Sequence, residues 1–416
     1  NHRDAQRAAP IAVPAAVDSV ESADPSSSHF DLANLQPLRA TGLTVVIDGT
    51  WLGPHETGAQ VLTTAAIAAL AHDDRIASIT LIGLDGRSSI ADARRMGRRV
   101  VATYLDLIAY DIPRYHAGTD AWAAYRALQR RIAMSVDGIT TISGDVARRL
   151  EQETPRLEPG RVRPIVLGLD HVTAASAPAQ PGDDIADLAR TLADRRFVLV
   201  LGNDFRHKNR DFAIAVWQRA LQAGQQCDLV LAGLHVKSSS SKADEDALLA
   251  KHVDLRGRTH VVGHVSSDSR AWLLQHASAV LYPSSAEGFG FVPYEAAVLG
   301  TPTTYADFGP LREVGKVDGL PRHWTVEAFA ADLTALLADE HAARSRIDAL
   351  QRAIAAHTWA DFAGHLIDLF QHVIGMPTVL TSTVADSAAA QHQLAAVLSS
   401  RTFKIAQLLQ RLRPGR

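Results

Sequence analysis

Residues 197–233, FVLVLGNDFRHKNRDFAIAVWQRALQAGQQCDLVLAG, contain two apolar runs separated by an amphipathic segment. The runs FVLVLG (197–202) and DLVLAG (228–233) have the length and the Val and Leu content of buried strands. The segment between them has helical spacing, with Phe212, Val216 and Trp217 directed to one side. This strand, helix and strand form a βαβ unit, which predicts parallel strands covered by helices on both faces.

The same pattern extends in both directions from this unit. Downstream runs are THVVG (259–263), AVLYP (279–283) and TPTTYA (301–306). Upstream runs are TVVID (44–48), ITLIG (79–83), RVVATYLDL (99–107), ITTIS (139–143) and VRPIVLG (162–168). The stretch VTAASAPAQPGDDI (172–185) separates the two series and predicts a domain boundary. We therefore expect an α/β protein with two Rossmann-like parallel-sheet domains, whose strands end at an interdomain cleft that holds the active site.

At 416 residues the chain is longer than a single hydrophobic core usually serves. We divide it into a linker or arm at 1–40, an amino-terminal Rossmann-like domain at 41–175 and a carboxy-terminal Rossmann-like domain at 176–357. Residues 358–375, TWADFAGHLIDLFQHVIG, have the apolar spacing of one further amphipathic helix. Residues 376–416 follow as a helical, basic tail.

Composition excludes several classes of protein. The formal net charge of -3 provides no basic field for nucleic acid. A single cysteine, Cys227, can form neither an internal disulfide nor a zinc site, which fits a reducing, cytoplasmic location. No apolar run approaches the ~18 to 20 residues that cross a bilayer. A dehydrogenase is disfavoured because no G-x-G-x-x-G joins the first strand to its helix.

The most informative segment for chemistry is LYPSSAEGFGFVPYEAAVLGTP (281–302). A buried strand ends at Pro283, Glu287 and the turn Gly288-Phe289-Gly290 follow, and a helix begins with Pro293 in its first turn and contains Glu295. Glycines let backbone approach a ligand closely, and two carboxylates facing the cleft suit pairs of sugar hydroxyls. The alternative is that Glu287 caps the helix and Glu295 is a solvated helix residue.

A second cluster lies in the loop that follows FVLVLG. After Gly202 this loop contains Arg206, His207 and Lys208, directly before a helix that begins near Asn209. The helix dipole disfavours cations at this end unless an anion occupies the site. We predict that Lys208 and Arg206 neutralise a diphosphate without a metal. The alternative is a solvated basic turn.

The amino-terminal half provides a glycine-punctuated loop, DGTWLGPHETGAQ (48–60), that leads into a helix. This geometry is typical of phosphate or sugar binding, with Gly58 at the helix start and Thr57 and Gln60 as polar contacts on the acceptor side. The alternative is that the glycines only form turns. Asp106 lies where a strand ends and serves either the acceptor or a local cap.

Together these motifs resemble family 4 of the retaining GT-B glycosyltransferases over roughly residues 43–375. The family's E-x7-E motif falls at Glu287 and Glu295, which implies contacts to the donor sugar and to the ribose respectively. Lys208 falls at the diphosphate-binding lysine, with His207 where arginine is usual. Gly58 resembles the glycine-loop position. Leu105 stands where many members have a histidine near the acceptor.

The resemblance implies a hexosyltransferase of bacterial cell-surface polysaccharide synthesis, with the acceptor domain at 41–175 and the nucleotide-sugar domain at 176–357. It would move a hexose, with retention, from a nucleoside diphosphate sugar such as GDP-mannose or UDP-glucose to a hydroxyl of a glycan or lipid-linked acceptor, without a metal or other cofactor. The predicted site comprises Glu287, Lys208 and Arg206 for catalysis, Glu295, Gly288, Phe289, Gly290, Gly202 and Gly58 for the donor, and Asp106, Thr57 and Gln60 for the acceptor. A GT-B nucleotide-sugar epimerase and a non-catalytic GT-B scaffold are the alternatives.

The tail contains a last motif, LAAVLSSRTFKIAQLLQRLR (394–413). It resembles a segment that often follows transferase modules in bacterial polysaccharide assembly proteins, which implies further modules in a longer chain. Residues 401–416 contain five basic residues and no acidic one, beside several apolar ones. The segment either lies peripherally on an anionic membrane or packs on the protein or another module.

Overall fold

The computed structural model describes residues 41–50, 52, 58–84, 89–155, 157–171, 179–236 and 239–379. The predicted arm at 1–40, Thr57 and all but the first four residues of the predicted tail lie outside these ranges. In the described part, no helix is both long and apolar enough to cross a membrane.

The described residues form ten strands, each of which overlaps one of the ten apolar runs. These are β1 (Leu43–Asp48), β2 (Ile76–Ile82), β3 (Val101–Tyr104), β4 (Gly138–Thr141), β5 (Val162–Pro164), β6 (Phe197–Leu201), β7 (Asp228–Ala232), β8 (Thr259–Val262), β9 (Ala279–Tyr282) and β10 (Thr303–Tyr305). All the pairings between them are parallel.

Helices connect these strands. They are α1 (Gly58–His72), α2 (Ile90–Met96), α3 (Ile108–Asp111), α4 (Thr119–Ser135), α5 (Gly144–Glu153), α6 (Ala186–Leu192), α7 (Arg210–Gln222), α8 (Lys242–Lys251), α9 (Val253–Arg256), α10 (Ser267–His276), α11 (Val292–Val298), α12 (Gly309–Gly315), α13 (Val326–Ala338), α14 (Glu340–Ala355) and α15 (Trp359–Gly375). Short 3-10 turns lie at Pro113–Tyr115, Asp183–Ile185 and Arg206–Lys208.

The carboxy-terminal domain is built on one continuous sheet with the strand order β10-β9-β6-β7-β8. Every residue of β6 and β7 is buried because helices cover both faces, which explains why these strands are apolar except for Asp228. From α7, Ile214, Val216 and Trp217 are fully buried against this sheet. Burying each of the two aliphatic side chains contributes about 1.5 to 3 kcal/mol to stability.

In the amino-terminal domain the described strands do not form one continuous sheet. Strands β1 and β2 form one sheet and β3, β4 and β5 form another. The two are separated by a cavity of about 770 Å³, lined by all six residues of β1, by three residues of β3 and residues flanking it, and by helices α1, α2 and α15. Within the described residues no strand pairs with the edges of β1 and β3 that face this cavity. The amino-terminal sheet is therefore divided in two.

Helix α15 returns from the carboxy-terminal domain and packs on α1 and β4. Its start is fixed by the Asp170 carboxylate, which accepts the Trp359 backbone N–H at 2.8 Å. Further along, Arg75 forms an ion pair with Asp368 at 2.9 Å, and the Arg99 guanidinium donates to the Val373 carbonyl at 3.1 Å. This helix covers one side of the divided sheet and connects the two domains.

Candidate active site

The loop after β6 places Lys208 over the carboxyl ends of β6 and β9. Gly202 directly follows β6, and a Cβ added to it would lie 3.8 Å from Cε of Lys208. The Arg206–Lys208 turn ends at Asn209, whose backbone is left-handed (φ 51°, ψ 46°). The Asn209 side-chain amide donates to the Pro283 carbonyl at 2.8 Å. This bond ties the lysine loop to the loop that contains Glu287.

Lys208 and Glu287 form a buried ion pair at the centre of the site. The Lys208 ammonium lies 2.5 Å from Oε1 of Glu287 and donates to the Tyr282 hydroxyl at 3.1 Å. The Tyr282 hydroxyl in turn donates to the same carboxylate oxygen. Burial alone would raise the pKa of Glu287, but the Lys208 charge and the hydrogen bonds from Lys208, Ser284 and Tyr282 together outweigh burial, and that pKa is lowered. Glu287 is therefore an ionised hydrogen-bond acceptor.

The two glycines of the Glu287 loop have different roles. Gly288 lies against the amino-terminal domain, where a Cβ added to it would be 1.8 Å from the Leu105 carbonyl oxygen. Gly290 has φ 88°, a conformation that favours glycine. Between them, Phe289 is buried and packs on Phe291 and Tyr294, with ring centroids 5.0 and 5.7 Å away. Phe289 therefore supports the loop from the core.

Glu295 is buried in α11, one turn from its start, with Pro293 in the first turn as predicted. Its carboxylate oxygen Oε2 lies 2.5 Å from the Arg270 guanidinium, which extends from α10. Glu295 therefore has a cationic partner that the sequence did not reveal.

Asp106 lies across the cleft from Glu287. Its carboxylate accepts the Ile108 backbone N–H at 2.8 Å, which is the local cap considered as the alternative role. The pKa of Asp106 is raised, first because protein atoms of the cleft surround its carboxyl group and further because of the Glu287 carboxylate. Lys208 acts in the opposite direction on the same pKa. The structure thus brings Asp106 within electrostatic reach of the Lys208–Glu287 pair.

Of the three basic residues in the lysine loop, only Lys208 is directed at Glu287. Arg206 is half-exposed and forms an ion pair with Asp244 at 2.7 Å. His207 is buried, and its Nδ1 is hydrogen-bonded to the Tyr115 hydroxyl of the amino-terminal domain. Burial and the neighbouring Lys208 charge lower the pKa of His207 to about 4, so it is neutral near pH 7. His207 therefore forms a neutral interdomain contact.

The predicted acceptor-side residues of the glycine loop are only partly described. Gly58 begins α1, and a Cβ added to it would lie 4.0 Å from the Phe291 ring across the cleft. Gln60 follows in the first turn of α1 and is half-buried, whereas Thr57 lies outside the described residues. The start of α1 is therefore near the Glu287 loop, and the roles of all three residues remain predictions.

A further interdomain contact joins α12 to the start of α5. The Glu313 carboxylate, on α12, accepts the backbone N–H groups of Gly144 and Asp145 at 2.7 and 2.9 Å. These groups lie at the start of α5, where the helix dipole favours negative charge. The two domains are therefore joined by a charge-assisted contact beside the site.

The motifs in the sequence did not indicate three residues of the site, which are Tyr282, Arg270 and Tyr115. Tyr282 is the last residue of β9 and lies within the segment 281–302. Its position at the carboxyl end of a strand could have indicated it as a site residue. Arg270 lies one turn into α10, where a cation is unfavourable for the helix dipole, the same signal that singled out Lys208. Nothing in the local sequence indicates Tyr115, because its partner is 92 residues away.

The part of the sequence that contains these residues is similar to a known protein family. Residues 188–353 match the glycosyl transferases group 1 family. The matched residues lie within the carboxy-terminal domain and include Lys208, Glu287 and Glu295.

Two curated relatives agree with this assignment. Glycogen synthase of Mycobacterium tuberculosis is 37% identical over 119 residues, which are 27% of this chain and 28% of the relative. Alpha-maltose-1-phosphate synthase of Mycolicibacterium smegmatis is 26% identical over 264 residues, 59% of this chain and 66% of the relative. The matches span less than two thirds of either relative's length.

Solved structures that each cover 76 to 80% of the chain show its fold. Sucrose-phosphate synthase from Thermosynechococcus elongatus superposes with a TM-score of 0.52 at 20% identity, covering 76% of this chain and 78% of that one. HepE from Anabaena, solved with UDP and glucose, has a TM-score of 0.57 at 14% identity, covering 79% and 99%. WaaG, a glycosyltransferase involved in lipopolysaccharide biosynthesis, has a TM-score of 0.55 at 14% identity, covering 80% and 100%. The predicted GT-B fold class is confirmed.

Proposed function

We propose that this protein is a retaining family 4 glycosyltransferase that moves a hexose from a nucleoside diphosphate sugar to a hydroxyl of a glycan or lipid-linked acceptor. The observation that carries this proposal is the Lys208–Glu287 ion pair at the carboxyl ends of β6 and β9. It lies in the cleft of a GT-B fold, within the residues that match the glycosyl transferases group 1 family. Two curated relatives of the chain are named glycogen synthase and alpha-maltose-1-phosphate synthase.

The geometry supports separate roles for the two partners. Lys208 is a cation within reach of a leaving diphosphate, whose developing charge it would stabilise. Glu287 is ionised and offers carboxylate oxygens to the hydroxyls of the transferred sugar. Tyr282 holds both groups in place through its hydroxyl. The proposed donor site therefore needs no movement of these three side chains to be assembled.

On the acceptor side the proposal assigns Asp106, which faces this pair across the cleft. The raised pKa of Asp106 makes its carboxyl group easier to protonate than an ordinary aspartate, so it suits hydrogen bonding with an acceptor hydroxyl. Leu105 supplies only its backbone here, since its carbonyl oxygen lies against Gly288. In this proposal the leaving phosphate itself accepts the proton of the acceptor hydroxyl.

Cell-surface polysaccharide synthesis on the cytoplasmic face of the membrane is the finer part of the proposal. The resemblance of the sequence to family 4 supports it, as does the structural similarity to WaaG, whose description names lipopolysaccharide biosynthesis. The basic tail that would bring the enzyme to a lipid-linked acceptor lies outside the described residues.

A thermal-shift screen against UDP, GDP and their sugars tests the proposal. A ligand that binds only the folded state at about 100 times its Kd adds ~2.7 kcal/mol of stability. Stabilisation by one nucleoside diphosphate, followed by slow hydrolysis of its sugar and transfer on adding an acceptor, would support the proposal. Conversion of the donor sugar to its epimer without an acceptor would identify an epimerase. Stabilisation by none of these compounds would reject donor binding and favour a scaffold.

A further inference from the structure

Both glutamates of the proposed donor site are held by a cation on one carboxylate oxygen. Lys208 engages Oε1 of Glu287, and Arg270 engages Oε2 of Glu295, each at 2.5 Å. Among the described residues, the second oxygen of Glu295 has no hydrogen-bond partner. Glu295 is almost fully buried, whereas the side chain of Arg270 is 29% exposed. The Arg270–Glu295 pair therefore reaches from the interior toward an accessible surface.

The two ion pairs belong to one network around Tyr282. Burial is the main reason why the pKa of the Tyr282 hydroxyl is raised, and the carboxylates of Glu287 and Glu295 raise it further. Arg270 acts on the same hydroxyl in the opposite direction. A single buried hydroxyl thus lies within electrostatic reach of both pairs. Arg270 and Glu295 are therefore part of the same site as Lys208 and Glu287.

The position of Arg270 in α10 is unfavourable for that helix alone. The helix begins after Ser266, whose hydroxyl accepts the Ser269 backbone N–H, and Arg270 is the next residue. A cation so close to a helix start is repelled by the dipole. The helix start is fixed, because the Asp184 carboxylate accepts the Ser266 backbone N–H at 2.7 Å. The guanidinium therefore extends from a rigid base toward Glu295.

We infer that Arg270 is a positioning residue of the donor site, which orients Glu295 so that its second oxygen accepts hydrogen bonds from the ribose hydroxyls of a nucleoside diphosphate. This inference rests on the proposed function. By occupying Oε2, Arg270 leaves Oε1 as the acceptor. The planar guanidinium donates its N–H groups in fixed directions, so this single contact orients the Glu295 carboxylate more narrowly than a point charge would. Recognition of ribose would therefore depend on a residue that does not itself contact the ribose.

The experiment compares ribonucleotides with their deoxy forms. Calorimetry on the full chain would give dissociation constants for UDP, GDP and their 2′-deoxy and 3′-deoxy forms. A deoxy form lacks one ribose hydroxyl and therefore one hydrogen bond to a charged acceptor. We therefore expect the wild type to bind the ribonucleotide roughly 10-fold more tightly than at least one deoxy form. In Arg270→Gln this preference should fall below about threefold, while the affinity for the deoxy form stays nearly constant.

Arg270→Gln leaves a buried carboxylate without its cation, so thermal unfolding must accompany the titrations. If that variant does not fold, Arg270→Lys serves instead, because it keeps the charge and replaces only the fork. Its preference should lie between those of the wild type and Glu295→Gln, the control from which the charged acceptor has been removed. A purely structural contact between α10 and α11 would instead change the melting temperature and leave the preference unchanged.

The outcomes separate the two proposals. If the wild type binds no nucleoside diphosphate, the proposed function is refuted and this inference with it. If the wild type prefers ribonucleotides and folded Arg270 variants keep the full preference, or lose affinity for both forms equally, this inference is overturned while the proposed function stands. Loss of the preference in the Arg270 variants with retained binding of the deoxy form confirms it.

Discussion

The backbone of Gly288 lies against the Leu105 carbonyl oxygen, so the two domains touch where a side chain on residue 288 would begin. A Cβ placed there would be 1.8 Å from this oxygen. Because the obstacle is backbone, it cannot be relieved by turning a side chain. The contact fixes the distance between the Glu287 loop and Asp106, and therefore the width of the cleft at the proposed site of transfer.

Gly288→Ala should widen the cleft at this point. We expect a loss of turnover of more than tenfold, because a misplacement of about 1 Å in a reacting geometry can cost roughly 100-fold. The free energy of unfolding should fall by about 1 to 3 kcal/mol, as for other overpacked sites. Steady-state kinetics and urea unfolding measure both quantities. Gly257→Ala is the matched control, since a Cβ there meets nothing within 4 Å. Equal effects from the two substitutions would contradict the assignment of this contact.

Lys208→Ala should weaken nucleoside diphosphate binding at least tenfold, because it removes a charge-assisted contact. It should also lower the free energy of unfolding by roughly 3 kcal/mol, since Glu287 stays buried without its cation. Arg206→Ala is the comparison, and its exposed pair with Asp244 predicts at most about 1 kcal/mol. Calorimetric titration and chemical unfolding give both values. A larger loss of affinity from Arg206→Ala would transfer the diphosphate contact from Lys208 to Arg206.

Donor binding should persist in the presence of a chelator. The charge of the diphosphate is proposed to be met by Lys208, and within the described residues no group of three or more His, Cys, Asp or Glu side chains is arranged to hold a metal. We expect the same dissociation constant with and without EDTA, measured by calorimetry. A loss of binding in EDTA that magnesium or manganese restores would reject this prediction.

The buried, neutral His207 predicts a loss of stability in mild acid. Its pKa is about 4 in the folded protein and about 6.5 in an unfolded chain, so the unfolded state binds the additional proton first. The contribution of neutral His207 to the free energy of unfolding is complete above pH 6.5 and is lost as the pH falls toward 4. About 2 kcal/mol of it is lost by pH 5. Urea unfolding of the wild type and of His207→Gln between pH 7 and pH 5 measures it. Parallel stability curves for the two proteins would show that His207 does not titrate in this way.

The basic tail gives a prediction about location. If residues 401–416 lie on a membrane, vesicles that contain anionic lipid should carry the full chain upward in flotation, and a chain that ends at Ser400 should stay behind. Neutral vesicles should recover little of either protein. Equal recovery of the two chains in the lipid fraction would show that residues 401–416 do not bring the protein to a membrane.

The sequence predicted the strands well because each one is a short apolar run with a clear end. Each of the ten runs overlaps a strand, and the confirmed fold class follows from their alternation with helices. The division of the amino-terminal sheet was not predictable in this way. Periodicity reports which residues are buried, whereas the partner of a strand edge depends on residues distant in the chain.

The candidate site was predictable residue by residue but not as a set of pairs. Lys208 and Glu287 were each singled out, yet their direct contact joins residues 79 apart in sequence. Arg206 was grouped with Lys208 because they are neighbours, and the structure directs it to Asp244. Side-chain direction within a tight turn depends on local backbone geometry, which composition does not encode. The catalytic and binding roles of these residues stay predictions.

The break between β1 and β3 gives the two halves of the protein different mechanical properties. The sheet that presents Lys208 and Glu287 is continuous across five strands, so its members resist displacement together. On the opposite wall, Asp106 follows β3 and Gly58 follows β1, and these strands belong to separate sheets. Small relative shifts of the two sheets would break no backbone hydrogen bond between described strands. The protein would therefore hold one substrate against a stiff wall and adapt the other wall to acceptors of different shape.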